Sequence, residues 1–276
     1  IRGESNTVIN NAVARRTYGG LFSGVVEGNT SNTLNGGIVD TLEGSGYEGG
    51  RVYGNAQATV RNGQVDWFLS GGGWNDKKIV GNVGVTVYDG VINASMGASY
   101  GASSDHTVTG NSNNIVYGGD FSGTPREGTN GFSGGITNVG SLLGNANLTI
   151  DLRNYNREFK LPSGTSISGG VPYNGTTNLG TDASNTITLN VYTKPGSDVL
   201  NGAAIYGDGA RTSSYTKSGK IIMNIQATGS SIGNLYATNY GNAPTTGLLR
   251  DVEINLQGAK TINGLSGGNA TDSFTN

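Results

Sequence analysis

The chain has 276 residues, enough for one large domain or two small ones, and its 49 Gly would suit a disordered linker if Val, Ile and Leu were not regularly placed. A charged fraction of 13% and a formal net charge of -2 provide no basic face, so nucleic acid is not expected as a partner. The absence of Cys excludes disulfides and thiolate metal sites, and no apolar run approaches the roughly 18 residues that would predict membrane insertion.

Gly-Asn dipeptides recur along the chain, each preceded by an apolar residue and one further residue. The successive spacings between them are 26, 27, 29 and 34 residues. A repeat of this size predicts a solenoid, in which each unit buries its apolar face only against its neighbours. Dividing the length by the spacing predicts roughly ten coils, which at ~4.8 Å per stacked strand form a rod of roughly 50 Å. The dipeptides begin at Gly28, Gly54, Gly81, Gly110 and Gly144.

The stretch 52–97 contains two copies of one unit, offset by 27 residues. Apolar residues alternate with single intervening residues in each copy, which is the period of a β-strand, and Thr59 and Thr86 take the outward positions. Asn62-Gly63 and Asp89-Gly90 follow at equivalent places. These pairs tolerate positive φ and often form hairpins, but the repeat length suits one full turn of a coil, so they predict corners between its successive faces.

Residues 153–182 interrupt this rhythm. The most charged segment of the chain stands at 153–160, and two prolines follow it in sequence rich in Gly, Ser, Thr and Asn. The composition predicts an irregular excursion from the coil. Its residues Arg153, Tyr155 and Arg157 are candidates for ligand binding, because loops on a rigid scaffold often carry function, although a solvated or capping loop is favoured.

The period resumes beyond the excursion, with alternating apolar residues at 187–191, 221–225 and 252–256. No segment shows a sustained helical pattern, and each Gly would penalise a helix by ~1 kcal/mol relative to Ala. The predicted fold class is therefore all-β, a parallel β-helix or β-solenoid with almost no α-helix, and residues 1–276 form a single solenoid domain. Because the chain begins without Met, it is expected to be a fragment of a longer surface protein whose signal and anchor lie outside it.

The main candidate for a binding patch stands where the two copies of the unit differ. Trp67 and Trp74 bracket a Gly-rich segment, and a mixed-charge insert follows Trp74. Aromatic rings beside a charged loop suit a recognition surface, whereas packing of Trp67 under a loop is the structural alternative. The candidate ligand-binding residues of this patch are Trp67, Trp74, Asp76, Lys77, Lys78 and Tyr100.

Acidic residues at matching repeat positions are the candidates for chemistry. Asp40 and Asp66 each follow a Val, and Asn93 takes the next equivalent position. Stacking would bring the two carboxylates within about 5 Å, as a catalytic pair or a Ca²⁺ site, although outward and solvated side chains are favoured. No catalytic residue, metal or cofactor is therefore assigned. The single histidine, His106, stands in a polar segment that predicts a surface loop, and without a second His or any Cys a zinc site is not expected.

Recurrent Tyr-Gly-Gly (18–20 and 117–119), Gly-Asn-x-x-x-Thr-Val (54–60 and 81–87) and Asp/Asn-Gly units resemble the pectate-lyase-like β-solenoid adhesive regions of Gram-positive surface proteins. The resemblance implies a right-handed parallel β-helix on a cell-wall-anchored, extracellular protein that binds host or environmental glycans or matrix glycoproteins without catalysis. A monomer is expected. The alternatives are a polysaccharide lyase or glycoside hydrolase on the same fold, and a passive spacer.

Overall fold

The structure is a computed structural model that describes residues 1–101, 105–123, 131–162, 164–170, 176–179, 185–208, 219–237 and 251–267. Regular secondary structure in these ranges consists of β-strands alone. None of the described segments forms a helix that is long and apolar enough to cross a membrane. The strands, in chain order, are β1 (Ser5–Ile9), β2 (Ala12–Tyr18), β3 (Val25–Val26), β4 (Thr30–Leu34), β5 (Gly37–Glu43), β6 (Arg51–Val52), β7 (Ala56–Val60), β8 (Gln64–Ser70), β9 (Lys78–Ile79), β10 (Val83–Val87), β11 (Val91–Ile92), β12 (Ser95–Gly97), β13 (Tyr100–Gly101), β14 (Thr107–Val108), β15 (Ser112–Val116), β16 (Gly131–Ser133), β17 (Thr137–Leu142), β18 (Ala146–Asp151), β19 (Ser166–Ser168), β20 (Thr176–Leu179), β21 (Thr186–Tyr192), β22 (Ala203–Tyr206), β23 (Lys220–Gln226), β24 (Ser231–Tyr236), β25 (Asp251–Gln257) and β26 (Thr261–Ser266).

The strands form three sheets, and every pair among the described strands is parallel. Sheet 1 has nine strands in the order β1-β4-β7-β10-β15-β18-β21-β23-β25. Sheet 2 has ten, in the order β2-β5-β8-β12-β16-β19-β22-β24-β26 with β11 beside β8, and sheet 3 has seven, in the order β13-β17-β14-β9-β6-β3 with β20 beside β17. The all-β, parallel solenoid-type arrangement is thus confirmed, and the turns of the repeat join different sheets instead of adjacent strands of one hairpin.

Inward side chains form columns from strand to strand. Because neighbouring strands pair in register, residues at one repeat position stack on each other and share the interior of the coil. Full burial of one Val, Ile or Leu stabilises the fold by roughly 1.5–3 kcal/mol. Thr59 and Thr86, at the predicted outward positions, are paired with each other and partly exposed. One fully buried column of sheet 1 consists of Leu34, Val60, Val87, Val116 and Ile150.

The Gly-Asn dipeptides form a ladder along one corner of the coil, which we call the Asn ladder. The side-chain Oδ1 of Asn82 accepts a hydrogen bond from the backbone N–H of Asn111 (2.8 Å). The Gly before each Asn permits close backbone approach, since a Cβ on Gly110 would lie only 2.5 Å from the carbonyl oxygen of Gly81. The acceptor and donor pairs of the Asn ladder are Asn29 and Asn55, Asn55 and Asn82, Asn82 and Asn111, Asn111 and Asn145, and Asn145 and Thr186.

A second corner uses the predicted Asx-Gly pairs. Gly63 and Gly90 have φ values of 106° and 115°, in the left-handed region that favours glycine. The side chain of the preceding Asn62 or Asp89 accepts the Gly N–H at 2.9 Å and so holds the turn. The sequence prediction of corners at these pairs is confirmed.

Part of the range 153–182, for which the sequence predicts an irregular excursion, forms strands in the structure. β19 and β20 lie within the range and pair in sheets 2 and 3. The charged segment before them is held against the coil, because Phe159 and Leu161 are buried in the core and Phe159 packs against Phe121 with ring centroids 5.6 Å apart. Two apolar side chains thus anchor a segment whose composition resembles a free loop.

Candidate functional site

A line of aromatic rings follows the corner between sheet 2 and sheet 3. Each coil contributes one ring, and consecutive rings stack with centroids 5.2, 6.2 and 4.0 Å apart and interplanar angles of 26°, 13° and 12°. Because the two inner rings have a neighbour over each face, their exposed parts are ring edges. The rings of this aromatic ladder are Phe22, Tyr47, Trp74 and Tyr100.

The position of Trp67 beside the aromatic ladder results from a β-bulge. The pairing of β5 with β8 shifts after Val39 and Val65, so that Thr41 lies opposite Phe68 and β8 has one extra residue. Trp67 is partly exposed, and its ring lies 5.4 Å from that of Trp74. The predicted candidates Trp67, Trp74 and Tyr100 therefore do come together, and both Trp rings are half-buried.

Arg16 and Tyr18 complete the aromatic surface from the preceding coil. The Arg16 guanidinium lies 4.4 Å from the Tyr47 ring centroid and 5.7 Å from that of Trp67, and it contributes cation–π attraction. Burial, and after it the charge of Glu43, raise the pKa of Tyr18 to about 12. Tyr18 therefore keeps its hydroxyl proton at neutral pH and is available as a hydrogen-bond donor.

Two carboxyl groups are buried behind the aromatic ladder. Glu43 is fully buried, and its Oε2 accepts the backbone N–H of Trp74 at 2.6 Å. Burial raises the pKa of Glu43 well above its usual range and that of Asp76 to about 6. Asp76 was expected in an exposed mixed-charge loop, and the structure corrects this: its Oδ2 accepts hydrogen bonds from Ser45 Oγ and the Gly46 N–H (3.3 Å), which draw the side chain inward. Its carboxyl group is therefore closed to a surface ligand.

His106 is also buried, and the prediction of a surface loop is wrong for it. Its Nδ1 faces the carbonyl oxygen of Asp76, and its own carbonyl accepts the N–H of Ser141 at 2.9 Å. Burial lowers the pKa of the imidazole, so the ring is neutral at pH 7. The next coil covers His106 closely, and this stacking across coils is not visible in the local sequence.

Sheet 3 carries an open groove of about 560 Å³ next to the aromatic ladder. Lys77 and Lys78 follow Trp74 by three and four residues, and Arg51 follows Tyr47 by four, so the coils of Tyr47 and Trp74 contribute to both features. The three cationic side chains are exposed, and Tyr53 is 50% exposed. The residues of this sheet-3 groove are Arg51, Tyr53, Lys77, Lys78, Asp105, Thr107, Thr109 and Leu143.

The acidic candidates of sheet 2 interact with neighbouring side chains. Asp40 lies 3.8 Å from Arg15 Nε, and Asp66 Oδ1 accepts hydrogen bonds from the side-chain amides of Gln64 (2.8 Å) and Asn93 (2.9 Å). Asn93 therefore stacks next to Asp66, as the repeat predicts. In the described part of the chain, no group of three or more His, Cys, Asp or Glu side chains is placed to hold a metal ion.

The candidate binding residues of the charged segment interact with other side chains of the solenoid. Arg153 pairs with Asp151 (2.6 Å), and its guanidinium lies 4.5 Å from the Tyr192 ring centroid. Tyr155 donates its hydroxyl to Asp89 at 2.8 Å, and Arg157 forms an ion pair with the same carboxylate. The polar ends of all three side chains therefore have partners within the fold, which favours the capping interpretation of this segment.

Sequence reasoning missed Phe22, Tyr47 and Arg51. A usable signal was present, because Phe22, Tyr47, Trp74 and Tyr100 follow one another at spacings of 25, 27 and 26 residues, close to the repeat itself. Tracing aromatic residues at the period of the Gly-Asn dipeptide would have predicted the aromatic ladder.

Comparison with protein-family models, with curated proteins and with solved structures found no match for this chain.

Proposed function

We propose that the chain is the non-catalytic, carbohydrate-binding part of a bacterial cell-surface adhesin, built as a right-handed β-helix of roughly ten coils. The three all-parallel sheets support this architecture, and crossover connections between parallel strands are nearly always right-handed. In this role the rod is monomeric, extracellular and attached to the cell wall, and it presents one face to host or environmental glycans or glycoproteins. The resemblance of its repeats to adhesive solenoids supports that setting.

One observation carries the proposal: the coils that hold Tyr47 and Trp74 of the aromatic ladder also supply the cationic residues of the sheet-3 groove. The groove gives a ligand a concave seat, and its polar side chains can hydrogen-bond sugar hydroxyls. The aromatic ladder adds apolar ring edges that a sugar can contact without losing its remaining hydrogen bonds to water. Arg51 and Lys78 stand on paired strands, and Trp74 and Tyr100 are joined by a parallel bridge, so these parts of the face are preorganised.

The proposal is tested on an array of mucin glycans, pectin, host-matrix polysaccharides and matrix glycoproteins. We expect saturable binding by the native chain and clearly weaker binding by Trp74→Ala. The matched control is Tyr117→Ala, because Tyr117 also belongs to a half-exposed stack, with Tyr88 at 5.3 Å, but lies away from the groove. Both variants are checked first for an unchanged β-sheet circular dichroism spectrum.

Three results would contradict the proposal. Absence of saturable binding to every glycan and glycoprotein would indicate a passive spacer. Release of reducing or unsaturated ends from a polysaccharide would indicate an enzyme. Equal binding by Trp74→Ala and the native chain would show that the ligand contacts another face.

A further inference from the structure

The sheet-3 groove concentrates positive charge on a chain whose formal net charge is -2. Arg51 and Lys78 lie directly opposite each other on β6 and β9, and Lys77 precedes Lys78. Adjacent strands are about 4.8 Å apart, so the charges repel one another unless an anion lies between them. Asp105 is the acidic residue among those lining the groove, so positive charge remains in excess.

Cations elsewhere on the rod show a different pattern. Arg153, Arg157, Lys160 and Lys220 each have a carboxylate within ion-pair distance. Among the described residues, no carboxylate forms such a pair with any of the three groove cations. The fold therefore satisfies many of its surface cations internally and leaves this cluster facing solvent.

The aromatic ladder limits which polyanion fits. Single-stranded nucleic acid is normally bound by stacking its bases on exposed aromatic faces. Here Tyr47 and Trp74 each stack between two neighbouring rings, whose centroids lie 5.2 and 6.2 Å from Tyr47 and 6.2 and 4.0 Å from Trp74, which leaves little room for a base to stack. A ligand with hydroxyl groups and repeated negative charges, but without flat bases, suits ring edges and lysines better.

We infer that the sheet-3 groove binds acidic polysaccharides through their sulfate or carboxylate groups, with Arg51, Lys77 and Lys78 as the anion-binding side chains and Tyr53 as the adjoining ring. This inference rests on the proposed carbohydrate-binding function and specifies its ligand class. Arg51 and Lys78 lie on two adjacent strands, with Lys77 beside Lys78, so a linear polymer that carries an anion on each repeating unit can contact more than one of these cations at once. Attraction between exposed charges is screened by salt, and binding therefore weakens as ionic strength rises.

The test compares the native chain with the triple variant Arg51→Gln/Lys77→Gln/Lys78→Gln. The control triple variant Arg61→Gln/Lys194→Gln/Lys260→Gln loses the same charge at exposed positions outside the groove. Immobilised dextran sulfate, polygalacturonate, unmodified dextran and single-stranded DNA serve as probes at low and at physiological salt. We expect dextran sulfate or polygalacturonate to bind the native chain and the control, with roughly tenfold weaker binding by the groove variant and a smaller salt dependence. A difference between the two polymers identifies the anion as sulfate or carboxylate.

Other outcomes would overturn the inference. Equal loss of binding in both triple variants would show a general effect of charge and not a site. If the native chain binds unmodified dextran or the array glycans and the groove variant binds them equally well, the proposed carbohydrate-binding function stands. The inference that the ligand is an acidic polysaccharide would then be wrong. DNA binding tighter than that of either acidic polysaccharide would indicate a nucleic-acid site, and absence of binding to every carbohydrate would overturn the proposed function as well.

Discussion

The buried Asp76 carboxyl group is one of the groups that make the stability of the fold depend on pH. Its pKa is raised from 3.8 to about 6 in the folded chain, chiefly by burial. Between these two values the folded state holds a proton that the unfolded state has released, so this group makes the fold less stable as pH rises through about 6. Full deprotonation costs about 3 kcal/mol, at 1.36 kcal/mol per pKa unit.

We therefore predict that Asp76→Asn gains stability relative to the native chain as pH rises from about 4 to 7. The neutral side chain avoids the deprotonation cost, and its oxygen can still accept from Ser45 and Gly46. Urea unfolding at several pH values measures the difference, expected to grow by about 3 kcal/mol across this range. His106 opposes the trend in both proteins, since its lowered pKa destabilises the fold at acid pH, and its effect cancels in the comparison. A difference that stays constant with pH would refute the prediction.

The Gly residues that precede each Asn of the Asn ladder determine how closely neighbouring coils approach each other. Gly110→Ala places a methyl group 2.5 Å from a carbonyl oxygen and 2.6 Å from a carbonyl carbon of Gly81, neither of which can move without shifting a strand. We predict a loss of about 1–3 kcal/mol in the free energy of unfolding, as overpacking typically costs. Gly3→Ala is the control, because a Cβ at Gly3 has no atom within 4 Å. Equal urea midpoints for the two variants would show that coil contact at Gly110 is loose.

Elements were predictable from the sequence where one repeat determines them. The alternation of Ala58 and Val60, the outward Thr59 and the corner at Gly63 depend on neighbours within a few residues, and all are confirmed. The inward turn of Asp76 was not predictable, because its partners lie about 30 residues earlier in the preceding coil.

The candidate site was predictable only in part, for a similar reason. Trp67, Trp74 and Tyr100 converge as expected, but the adjoining groove depends on register between short strands such as β6 and β9. Two-residue strands leave almost no periodic signal in the sequence. Arg51 therefore looked like an ordinary surface residue until the sheets were in place.

At the scale of the whole molecule, protection of the core differs along the rod. The inward residues Met223 and Ile225 of β23 are buried, whereas the corresponding Ile254 and Leu256 of β25 remain partly exposed. Stability in a stacked repeat is approximately the sum of nearest-neighbour contacts, so strands with one neighbour open more easily.

We predict that amide hydrogen exchange is slowest in β7, β10 and β15 and faster in β1 and β25, with a gradient along sheet 1. Mass spectrometry of peptic peptides after timed deuterium labelling measures this. Uniform protection from β1 to β25 would show that the rod opens only as a whole, in contradiction to the prediction.

In the Asn ladder, the spacing between neighbouring coils does not depend on the number of residues in each coil. Its successive rungs join residues 26, 27, 29, 34 and 41 positions apart, yet every rung has the same hydrogen bond at 2.8 or 2.9 Å. Extra residues in the longer coils, including the segment that carries Arg153 and Tyr155, are therefore added at the side of the rod. Loops can thus be lengthened or shortened between consecutive Asn residues of the ladder without changing the distance between coils along the axis of the solenoid.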